Sequence, residues 1–86
     1  MTKNILMLAQ HNKTEALRMA SGLTLLDDTV QVMVWGPLDE KDAEVQLQLE
    51  SLDFADVPVE RLDPLAEADR TRLADGLSMA DTVFIV

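Results

Sequence analysis

The chain has 86 residues, 16 of them acidic against 7 basic for a formal net charge of −9, with 48% hydrophobic and 27% charged residues and no cysteine. That length bounds it to one domain over residues 1–86, burying roughly 60–65% of its unfolded surface, and the composition is globular rather than disordered. The acidic balance lacks the cationic footprint that nucleic acids and anionic membrane surfaces require, and the missing thiol excludes disulfides, zinc–thiolate sites and thiol chemistry.

Asn4–Ala9, NILMLA, is a continuous apolar run of the length of a strand buried on both faces, as parallel strands are. Its five consecutive apolar residues are too few for a signal-peptide core or a membrane span. The expected setting is therefore soluble and cytoplasmic, which the absence of disulfides also favours. In the polar loop Gln10–Thr14, Asn12 or Thr14 is placed to cap a helix, with Glu15 favourable in its first turn. Ala16, Met19, Ala20, Leu23 and Leu26 then recur at helical spacing as a core stripe. Gly22 sits among them at a cost of about 1 kcal/mol in helix propensity, which predicts close packing on the sheet there. Asp27–Thr29 turns the chain into VQVMVW, Val30–Trp35, a second buried strand stopped by Gly36–Pro37.

LDEKDAEVQLQLESLDF, residues 38–54, carries two patterns. Val45, Leu47 and Leu49 alternate as in a strand, whereas Val45, Leu49 and Leu52 fit a helix. The abundance of Glu, Gln, Lys and Leu favours the helix, with Asp39 as its candidate cap. VPVERL, Val57–Leu62, is a short third strand whose Pro58 suits the start of an edge strand. Asp63–Pro64 has the form of an N-cap followed by proline at the first helical position. The helix to Met79 sets Ala66, Leu73, Leu77 and Ala80 on one side, interrupted by Arg70, with Asp69 as an alternative start. DTVFIV, Asp81–Val86, is the last strand, and the order βαβαβαβ implies right-handed crossovers and a largely parallel sheet with helices on its faces.

In such sheets the ligand crevice lies beyond the carboxyl ends of the strands, which singles out Gln10–Thr14, Gly36–Asp39 and Leu62–Pro64. None of these loops carries a glycine-rich phosphate cradle, so dinucleotide-fold and P-loop readings fail. His11 is the single histidine; it can act as an acid or base or contact an anion at a helix amino terminus, against the plainer reading of a solvated loop residue. Lys13 can pair with an anion or simply sit in solvent. Asp63 is a crevice carboxylate or, more simply, a helix cap. The candidate ligand-binding residues are thus Gln10, His11, Asn12, Gly36 and Asp63. Asp39, Glu40, Asp42 and Glu44 lack the spacing and glycine of a calcium loop and read as a solvated helix start. No catalytic constellation, metal site or cofactor is expected. Trp35 is a core residue or an interface anchor. The last strand has almost no charge after Asp81, which makes Phe84 a second interface candidate and an oligomer the expected state.

The opening KNILMLAQ, the short polar loop, TEALRMASGLTLLDDTVQVMVWG and the closing MADTVFIV together resemble the DsrE/DsrF-like sulfur-relay family. Its members pair a first strand with a helix of the type A-L-x-x-A-x-x-L, then an apolar strand ending near glycine, and close on an A-D-x-V strand. The resemblance implies a three-layer α/β/α sandwich with a mainly parallel sheet of four to five strands. It also implies assembly into homo-oligomers, or hetero-oligomers with DsrE-like relatives, and a part in intracellular sulfur transfer. Active members carry persulfide on a cysteine after a central strand. The nearest position here, Leu62–Asp63 in VERLDPL, has none, and neither serine nor aspartate can replace sulfur as the carried atom. The expected role is a non-catalytic subunit or binding module; the alternative is a small α/β enzyme or ligand-binding domain built around His11.

Overall fold

The computed structural model of the protein describes residues 3–25 and 27–86. Four strands and three helices alternate: β1 (Asn4–Ala9), α1 (Lys13–Leu23), β2 (Thr29–Trp35), α2 (Ala43–Phe54), β3 (Val59–Leu62), α3 (Glu67–Met79) and β4 (Thr82–Ile85). The strands form one all-parallel sheet in the order β3-β2-β1-β4, with β1 and β2 in the centre and β3 and β4 at the edges. Asn4 pairs with Thr29 and Ile5 with Thr82, so β1 is flanked by strands over nearly its whole length.

The continuous apolar runs of β1 and β2 feed two cores at once, because successive side chains point to opposite faces. Ile5, Met7, Val30, Val32 and Val34 meet Ala16, Leu17 and Ala20 of α1 and Val45 and Leu52 of α2 on one face. Leu6, Leu8, Met33 and Leu62 form the second, smaller cluster on the other, under Leu73 of α3 and beside Trp35, Ala80 and Val83. The helices therefore sandwich the sheet, two against one. Every buried side chain among the described residues is apolar.

The helix boundaries follow from which polar groups reach the unpaired terminal amides. Asn12 caps α1 as expected, its Oδ1 accepting from the Glu15 amide at 3.2 Å. For α2 the expected cap Asp39 is replaced by Asp42, whose Oδ1 accepts from the amides of Glu44 at 2.9 Å and Val45 at 3.2 Å. Asp63 does not cap α3. Its carboxylate and carbonyl close a turn on the amides of Leu65 (2.9 Å) and Ala66 (3.0 Å), and the helix starts one turn later with Ala66 at the N-cap position. Asp69, the alternative start, sits in the first turn of α3 and accepts from the Asp63 amide at 2.7 Å.

α2 ends in a six-residue closure in which the Val57 amide reaches the Leu52 carbonyl (2.9 Å) and the Asp56 amide the Asp53 carbonyl (3.0 Å). Val57 is thereby the lid of that cap rather than part of β3, and the strand begins at Val59, just after Pro58. The core stripe of α1 also differs from its expected membership. Leu17 is fully buried with Ala16 and Ala20, while Met19 and Leu23 are half-buried at the margin of the cluster. Leu26, assigned to the same stripe, lies outside the described residues.

Gly22 is not a packing contact: a methyl group there would meet nothing within 4 Å. The close approach lies at Gly76, the buried residue of α3, where an added Cβ would stand 2.5 Å from Cε of Met33. Of the stripe expected on the inner side of α3, Leu73 and Ala80 pack on the smaller core as expected, whereas Leu77 is 38% exposed and lies outside it.

Candidate functional site

The carboxyl ends of β1, β2 and β3 gather the three expected loops, but into two separate depressions. His11, Asn12 and Thr14 face Leu38, Asp39 and Asp42 across an open hollow of about 380 Å³. Gly36, Pro37, Arg61, Leu62, Asp63 and Pro64 line another of about 360 Å³. Lys13 stands between them, its Nζ donating to the Pro37 carbonyl at 2.7 Å and lying 3.4 Å from where a Gly36 side chain would begin. Gly36 has φ +93°, a left-handed conformation open to glycine, and its amide donates to the Leu62 carbonyl at 3.0 Å. The turn out of β2 is thus fixed to the end of β3 and strapped to α1 by one lysine.

Asn12 uses its side chain as a cap and Asp63 uses its own in a turn, so both hold the fold at this end of the sheet. The amides of Gln10 and His11 both donate to the Val86 carbonyl, at 2.9 and 2.8 Å, which joins the β1 loop to the chain beyond β4. The His11 side chain is exposed, and Gln10 lines neither depression. Trp35 is half-buried against the smaller core, which accounts for it through packing. Phe84 lies on edge strand β4, 36% exposed, on the α1 side of the sheet.

An exposed ion pair at this end of the molecule links the chain before α2 to β3. Both Nε and Nη2 of Arg61 donate to the Glu40 carboxylate, at 3.0 and 2.7 Å. That hydrogen bonding, aided by the guanidinium charge, holds the Glu40 carboxyl below its ordinary pKa and lifts that of Arg61. Among the described residues, no three histidine, aspartate or glutamate side chains converge as a metal would require, and no helix is long and apolar enough to cross a membrane.

Sequence reasoning missed a cavity of about 210 Å³, more enclosed than the two depressions above, at the opposite, amino end of the sheet beneath α3, lined by Asn4, Thr29, Gln31, Arg72, Gly76 and Met79 among others. Arg72 at its rim pairs with Glu60 of β3. Gly76, an isolated glycine within a helical pattern, is the sequence signal for it, since it marks where α3 approaches the sheet. Comparison of the chain with protein-family models, with curated proteins and with solved structures finds no match.

Proposed function

We propose that the protein is a non-catalytic, DsrE-like subunit or binding module of a cytoplasmic sulfur-relay assembly, joining copies of itself or DsrE-like relatives through β4. The observation that carries this reading is the state of that strand. β4 is an edge strand of four residues, Thr82–Ile85, with no charge among them. Phe84 on the α1 side and Ile85 on the α3 side are 36% and 59% exposed, so the edge is apolar on both faces. Unprotected edges of this kind are templates for pairing, and natural monomers blunt them with lysine, proline or a bulge. The opposite edge, β3, carries Glu60 and Arg61 and follows Pro58. The chain has no cysteine to carry persulfide, so in this reading the thiol chemistry of the relay belongs to partner chains.

Light scattering at micromolar concentration tests the assembly and is expected to give at least twice the 9.5 kDa chain mass. Ile85→Lys, which places a charge on the edge, is expected to return the protein to monomer without unfolding it. A monomeric wild type whose Phe84 and Ile85 amides are protected from exchange overturns the proposal.

A further inference from the structure

α2 is apolar on two opposite sides. Val45, Leu49 and Leu52 turn inward to the core. Leu47 and Phe54, one heptad apart, fall within about 20° of the line directly opposite that stripe, with Ala43 about 30° from it. Leu47 is 56% exposed and Phe54 93%, so among the described residues no element covers the outer stripe. Two shallow depressions meet along it, sharing Leu47, Glu50 and Asp53; one extends to Glu40, the other to Ser51 and Phe54. The double pattern explains why the sequence of this segment also reads as a strand: Leu47 belongs to the second face.

We propose that this outer stripe of α2 is a docking surface for a basic protein segment that carries an apolar anchor. The charge around it selects the occupant. Glu40, Glu50 and Asp53 line the two depressions without a basic side chain among the lining residues; Glu40 is paired with Arg61, which leaves Glu50 and Asp53 as the charges beside Leu47. A second copy seated here across a two-fold axis would bring Glu50 and Asp53 of both chains together, a like-charge contact that interfaces avoid. A cationic segment reverses that interaction, is steered toward the surface by the same field, and buries Leu47 and Phe54 as the central apolar contact. This surface is independent of the edge strand, because α2 packs on α1 whereas β4 lies beyond β1 at the sheet margin.

The test is a titration of the 15N-labelled full chain with a synthetic amphipathic helix of lysine and leucine, alongside a control peptide with every leucine replaced by serine. The expected result is a set of amide shifts concentrated on Leu47, Glu50, Ser51 and Phe54, with weaker binding of the control and at higher salt. Phe54→Ser and Leu47→Ser are expected to weaken the leucine peptide by about tenfold or more. Phe54 is almost wholly exposed, so its replacement leaves the fold intact. Phe84→Ser, on the edge strand, is expected to leave peptide binding unchanged, which separates failure here from failure of the β4 assembly. Shifts spread evenly over the acidic surface, unchanged affinity in Phe54→Ser, or a wild-type dimer that Phe54→Ser dissociates would each overturn the proposal.

Discussion

Gly22 and Gly76 both lie in helices, yet their surroundings differ enough to separate the effects of the same substitution. A Cβ at Gly22 enters open space, so Gly22→Ala is expected to stabilise by about 0.5–1 kcal/mol through helix propensity alone. Gly76→Ala carries the same gain, but its Cβ arrives 2.5 Å from Cε and 3.1 Å from Sδ of Met33. Met33 is fully buried in the cluster with Leu6 and Leu8, but the clashing methyl is the end of a flexible side chain beside the cavity at Gly76, so the overpacking falls at the low end, about 1 kcal/mol, and offsets the gain. Urea unfolding should therefore rank Gly76→Ala below Gly22→Ala; equal stability would mean that the Met33 methyl swings freely into the neighbouring cavity. At this scale the sequence is ambiguous for a physical reason. Asp39, Asp42 and Asp63 are all able to cap, and only the path of the chain decides which carboxylate meets free amides. Leu17 and Met19 flank the Ala16–Ala20 stripe of α1 on opposite sides, and the sheet's position, not the spacing, selects Leu17 for full burial.

The elements themselves were more legible than their ends. The apolar runs of β1 and β2 mark buried parallel strands without competition, and their extents agree with the structure to one residue. α2 was harder, since two opposed apolar stripes weaken its helical periodicity, and α3 buries only Gly76 completely. The α2–β3 junction was misplaced because its closure depends on a conformation that sequence does not advertise. Asp56 sits there at φ +59°, in the left-handed region that favours glycine. Its carboxylate also adds negative charge at a helix carboxyl terminus, where the dipole opposes it. Asp56→Gly should relieve both effects and raise stability by about 1 kcal/mol, read as a higher urea midpoint with an unchanged slope. A loss of stability instead would show that the Asp56 side chain makes a contact the cap requires. The Val57–Leu52 closure and the two buried side chains it brings together persist in either case.

For the whole molecule, the dominant electrostatic fact is the charge of −9. Favourable pairing is confined, among the described residues, to Arg18–Glu15, Arg61–Glu40 and Arg72–Glu60, all substantially exposed. Exposed pairs contribute little and are screened by salt. The excess carboxylates repel one another over longer distances in the compact state, most densely between Asp39 and Asp56, and that repulsion is screened as well. The two effects have opposite signs, and the repulsion involves more charges. Raising the salt from about 10 mM to about 150 mM shortens the Debye length from about 30 Å to about 8 Å, well inside the longest dimensions of the molecule, 33 × 33 × 19 Å. The thermal midpoint at pH 7 should therefore rise over that range. It should rise similarly in sodium chloride and potassium chloride, because the effect is screening rather than binding of one ion. A midpoint that falls with salt would mean that the three ion pairs outweigh the net charge. The same measurement on Ile85→Lys, the variant expected to be monomeric under the proposed β4 assembly, separates the effect on folding from any rise that association would add, since screening also promotes association of acidic chains.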